Sequence, residues 1–170
     1  MAGTSPKGAE KTPLPSARVP AVRRNGDINQ FRNFLGVSCG DSEKRVTDVL
    51  GQPSHRGMLG ALPGLGVDKG RDQIVLIYDA VSVDIDATTG RVTGMGVDTT
   101  SDLFKVPPSV SDPKLHYLGD FCSTVIRDFG EPDFGGRELP LYHDDKSKLR
   151  VRFFCPSGIC RMISVTCPTD

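Results

Sequence analysis

The chain has 170 residues, of which 37% are hydrophobic and 25% charged, so a folded core is expected and wholesale disorder is not. Its 21 basic and 21 acidic residues cancel, which argues against a nucleic-acid binder working through bulk positive charge. No apolar run is long enough for a transmembrane helix, and the N-terminus lacks the apolar stretch of a signal peptide.

Residues 1–26 read as a solvated tail. Pro6, Pro13, Pro15 and Pro20 sit among Lys, Arg, Ala and Ser, with almost nothing apolar enough to pack. A membrane tether outside this sequence is compatible with such a leader, and Lys7, Lys11, Arg18, Arg23 and Arg24 give it a basic bias. After the tail, two sequence blocks recur in the same order. VTDVLGQP (46–53) matches VIRDFGEP (125–132), and VSVDIDATTGRVTGMGV (81–97) matches LRVRFFCPSGICRMISV (149–165). In the second pair Val81 falls on Leu149, Val83 on Val151, Ile85 on Phe153 and Gly90 on Gly158. The reading is therefore α+β: two tandem helix–helix–antiparallel sheet repeats, at 27–103 and 112–170, connected by a linker at 104–111 and joined through their sheets or edges.

In the first copy Asp27 is placed to cap a short helix with Ile28, Phe31, Phe34 and Leu35 on one face. Ser42 or Asp41 caps a second, with Val46, Val49 and Leu50 inward; Gly51 and Pro53 end it. In the second copy Asp112-Pro113 starts a helix with Leu115 and Leu118. Phe121, Val125 and Phe129 line the next, closed by Gly130 and Pro132. Strands are expected at 73–78, 81–86, 92–98, 139–143, 148–154 and 159–166, with ATTG and CPSG as hairpin loops. The Gly-rich stretch at 58–70 lacks the ending of a phosphate loop and reads as a surface loop.

Helices ending in LGQP or FGEP, followed by strands with a Gly90-Arg91-Val92 turn, resemble two related families. One is the beta-lactamase inhibitor proteins, a tandem repeat of helix–loop–helix and antiparallel sheet. The other is the small outer-membrane assembly lipoproteins of the SmpA/OmlA type, with one copy. The resemblance covers about residues 27–168 and implies a protein-binding function. Lactamase inhibitors use an aromatic-rich sheet face, whereas this chain has three Tyr, eight Phe and no Trp, so no family binding residue is carried over.

Alternation sends Val81, Val83 and Ile85 toward the helices and Ser82, Asp84 and Asp86 away from them. The matching outward positions of the second copy are Arg150, Arg152 and Phe154. One copy thus presents an acidic face and the other a basic one with an aromatic, a pattern suited to ordinary solvation or to a bipolar protein-binding surface. Tyr78 and Tyr142, near strand ends, extend that surface or belong to the core edge.

Of the five cysteines, Cys155 and Cys160 flank a short turn and are the disulfide candidate. Cys39 and Cys122 read as small hydrophobes, each packed in its own half, and the odd count leaves at least one thiol free. A zinc reading would use Cys155, Cys160 and Cys167, whose spacing fits no paired knuckle. His143, Asp144 and a cysteine permit a catalytic drawing that no motif supports. The expected function is that of a non-enzymatic protein-binding module, an inhibitor or immunity-type protein acting on a partner protein. The alternatives are a bacterial envelope assembly component and, last, a cysteine-dependent enzyme. No cofactor, metal or nucleic acid is expected, and the cell envelope or periplasm is favoured over the cytoplasm.

Overall fold

A computed structural model of the chain describes residues 26–59, 72–101, 105–107 and 110–168. The expected tail, apart from Gly26, most of the Gly-rich loop and part of the 104–111 linker lie outside the described residues.

Asp27 caps the first turn by accepting the Asn29 N–H at 2.9 Å, but the helix that follows is a single 3-10 turn, Ile28–Arg32. It stops because Asn33 is already extended. Strand β1 (Asn33–Phe34) pairs with β2 (Val37–Ser38) across a turn in which Leu35 and Gly36 both take positive φ, 61° and 76°. Ile28, Phe31, Phe34 and Leu35 are nonetheless all buried, as their apolar character requires. Helix α1 (Glu43–Leu50) starts at Ser42, whose hydroxyl accepts the Arg45 N–H at 3.3 Å, and ends where Gly51 takes φ 87°. The second half begins with another 3-10 turn, Pro113–Tyr117, capped by Asp112, and continues into α2 (Cys122–Phe129), which Gly130 ends at φ 81°.

The strands are β3 (His55–Leu59), β4 (Gln73–Tyr78), β5 (Val81–Asp86), β6 (Arg91–Asp98), β7 (Leu141–His143), β8 (Arg150–Phe154) and β9 (Met162–Thr166). All seven join one antiparallel sheet in the order β3-β4-β5-β6-β9-β8-β7. This corrects the expectation of two tandem helix–helix–sheet repeats. The described residues hold two eight-residue α-helices, and the protein is mostly β. Two physical reasons account for the difference. The first helix of each expected pair spans five residues, too short to hold more than a 3-10 turn. The last strand of each half then finds its partner in the other: β6 pairs with β9 from Gly94↔Thr166 to Asp98↔Met162, so the sheet runs unbroken through both halves. No helix among the described residues is long and apolar enough to cross a membrane.

Between the helices and the sheet lies one core. Phe153 is fully buried, with its ring centroid 5.8 Å from Phe31, 5.7 Å from Tyr117, 6.0 Å from Phe129 and 6.1 Å from Tyr142. Such ring pairs each add about 0.5–1.5 kcal/mol beyond their buried area.

Two disulfides close the structure, and neither is the expected Cys155–Cys160 pair. Cys39 bonds Cys167 with Cα atoms 5.5 Å apart, Cys122 bonds Cys155 at 5.9 Å, and Cys160 is free and buried. Register explains the correction. Phe154 pairs with Met162 and the Arg161 N–H bonds the Phe154 carbonyl, so Cys155 and Cys160 are not cross-strand neighbours. Cys155 turns to the start of α2, while the Cys160 thiol lies 3.6 Å from the Met162 carbonyl oxygen. Cys39 and Cys122 are therefore cross-links between distant segments, not local packing residues. The loops they close, 128 and 33 residues long, correspond to about 5 and about 4 kcal/mol of lost unfolded-state entropy.

Candidate functional site

The two faces of the sheet are unequal. Facing the helices, Leu76, Val83, Met95, Val165, Val151 and Tyr142 form one buried row across six strands. The opposite face is left partly open to solvent. Its residues lie in transverse rows fixed by register: Val75–Asp84–Gly94–Thr166–Arg150–His143, and beside it Ile77–Ser82–Gly96–Ser164–Arg152–Leu141. A bulge at Thr93 of β6 keeps this alternation, because Asp84 pairs with Gly94 while Ile85 pairs with Val92.

The middle of the open face is a shallow trough. Its floor is Gly94, Gly96, Ser164 and Thr166, all small. One wall carries Asp84 and Ser82, and the other the exposed Arg150 and Arg152. From β5 to β8 is three strand spacings, about 14 Å. The glycines leave room for their neighbours: a Cβ at Gly94 would stand 2.7 Å from Asp84 Oδ2, and one at Gly96 would stand 3.3 Å from Ser82 Oγ. The Asp84 carboxylate therefore lies over the floor. Among the described residues it accepts no hydrogen bond and joins no ion pair, and its burial pushes its pKa above the usual carboxylate range. Arg150 and Arg152 likewise have no ion-pair partner among the described residues. With Leu141, Ser164 and Thr166 they line a small polar hollow of about 100 Å³.

Of the residues expected to bind a partner, Asp84, Arg150, Arg152 and the half-buried Phe154 share this face. Three others do not. Tyr78 pairs with Val81 and is buried on the helix side, its hydroxyl without a hydrogen-bond partner among the described residues. Tyr142 pairs with Val151 and is fully buried, donating its hydroxyl hydrogen to the Gly130 carbonyl at 2.9 Å. Asp86 sits at the end of β5, where its buried carboxylate turns back to accept the Thr88 and Thr89 N–H groups at 2.9 and 2.7 Å. It shapes the ATTG turn, so Asp84 is not one of a pair of open carboxylates. The floor escaped sequence reading, although Gly94 and Gly96 at alternate strand positions are a signal of close approach.

Other chemistry is dispersed. Two of the three sulfurs of the zinc reading, Cys155 and Cys167, are in disulfides with Cys122 and Cys39. Among the described residues no group of three or more His, Cys, Asp or Glu is placed to hold a metal ion. His143 Nδ1 stands 3.7 Å from Asp145, while Asp144 is held by Asn29 and Ser147 at 2.7 and 2.8 Å. A separate apolar hollow of about 480 Å³ lies at the start of α2, lined by Phe121, Ile126, Arg137 and Gly158 among others. No protein family, curated protein or solved structure matches this chain.

Proposed function

We propose that the chain is a non-enzymatic protein-binding module of the inhibitor type, which engages its partner through the open sheet face. The observation that carries this reading is the trough itself: a carboxylate and two guanidinium groups, none with an ion-pair partner among the described residues, face each other across a floor of small residues on one sheet. Charges left without internal partners set partner choice and association rate when a complementary surface covers them, and Arg is enriched among binding hot spots. Phe154, at the far end of β8, adds an aromatic contact. Two disulfides fit an oxidising compartment.

The test is differential capture from an extract of the source cell, comparing the wild type with Arg150→Glu/Arg152→Glu and with Arg45→Glu on α1. The expected result is one partner retained by the wild type and by Arg45→Glu. The double variant should lose it by about ten-fold or more, with an unchanged melting curve. The purified partner's activity should fall when the wild type is added. Equal capture by all three proteins would refute the reading.

A further inference from the structure

The trough's dimensions and charges narrow the kind of segment it accepts, an inference that rests on the partner-binding reading above. We propose that the partner seats an extended segment across the sheet strands, with a Lys or Arg on Asp84 and an Asp or Glu four residues away on Arg150.

Charge sets the two anchors. Asp84 lies over Gly94 without an ion-pair partner among the described residues, and Arg150 stands in the same transverse row with Gly94 and Thr166 between them. A desolvated carboxylate without a counter-ion is costly, and a partner's cation relieves that cost. Spacing sets the conformation. The strands that carry the anchors are about 14 Å apart, and an extended chain rises about 3.3 Å per residue with alternate side chains on one side. Residues i and i+4 of such a chain therefore point the same way, about 13 Å apart. In a helix the same two residues lie only about 6 Å apart and would satisfy each other. The small floor supplies the remaining requirement. Residue i+2 of the segment points down beside the Asp84 carboxylate, onto the exposed Thr166. Arg152 stands two positions along β8, beside Ser164, and offers a second cation to an acidic partner.

The probe is a pair of capped, fluorescently labelled peptides of identical composition, rich in Thr. One has Lys and Glu four residues apart, and the other three apart, which sends the charges to opposite sides of an extended chain. Binding is followed by anisotropy at about 20 mM and about 150 mM salt, since screening should weaken the interaction. The expected result is that the four-apart peptide binds about five-fold more tightly, the scale of one ion pair. Asp84→Asn and Arg150→Glu should each abolish the preference while their melting curves stay unchanged. Equal affinity of the two peptides, binding by neither, or a preference that survives in Asp84→Asn overturns the proposal. If the capture experiment still depends on Arg150 and Arg152 in that case, partner binding through the open face stands and only the polarity and extended conformation assigned to the partner fall.

Discussion

Asp27 and Asp112 occupy like places before the two 3-10 turns, yet their removal should cost very different amounts. Asp27 is exposed and accepts the Asn29 N–H and side-chain amide, both at 2.9 Å. Water can replace it, so Asp27→Ala should cost about 1 kcal/mol, as for an ordinary helix cap. Asp112 is only 8% exposed. It accepts the Lys114 N–H at 2.9 Å, meets the Lys114 ammonium at 2.9 Å, and reaches across to the buried Leu35 N–H at 2.7 Å. Asp112→Ala would leave a buried N–H unsatisfied and a largely covered ammonium without its counter-ion, a loss of about 3–5 kcal/mol. For a domain of this size that is a fall of roughly 10 °C in melting temperature. Asp112→Asn, which keeps one acceptor oxygen, should fall between the two. The assay is urea unfolding of the disulfide-intact proteins, with m-values compared to confirm a common unfolding transition. Equal losses for Asp27→Ala and Asp112→Ala would refute the argument, because they would mean that the contact with Leu35 contributes nothing.

Phe153→Ala removes the ring that touches four others and should destabilise by about 3–5 kcal/mol in the same assay; a loss under about 1 kcal/mol would show the cluster to be loosely packed. Hydrogen bonds from Asn29, Ser147 and the backbone hold Asp144 down at about 2. Its stabilisation is therefore full above the unfolded carboxylate value of about 3.9 and is lost as pH falls toward 2. Asn29→Ala should flatten the stability profile in that window, and an unchanged slope would count against the assignment. Burial pushes the Cys160 thiol up to about 11. A thiol-specific chromogenic reagent without reductant should thus find no reactive thiol in the native protein at pH 8 and one in denaturant, whereas three in denaturant would contradict one of the disulfides.

Local patterns were legible wherever the physics is local. Ser42, Gly51 and Gly130 mark helix ends through capping and positive φ, and the alternation in Val81–Asp86 assigns the faces of β5 without any knowledge of its neighbours. Asp84, Arg150 and Arg152 were placed on the open side by that same period of two. Pairing between distant strands obeys no such local rule. The joining of β6 to β9 decided which strands meet between the halves and brought an acid from one half into a row with bases from the other. Tyr78 and Tyr142 went to the core because their register partners, Val81 and Val151, face inward. The cysteines show the limit most plainly: proximity in sequence suggested Cys155–Cys160, but disulfides join sulfurs that packing brings together, and Cys155 meets Cys122 while Cys39 meets Cys167. Asp27 and Asp112 begin alike in sequence, and only the chain folded around them decides which is a replaceable cap and which is a buried tie between the two halves.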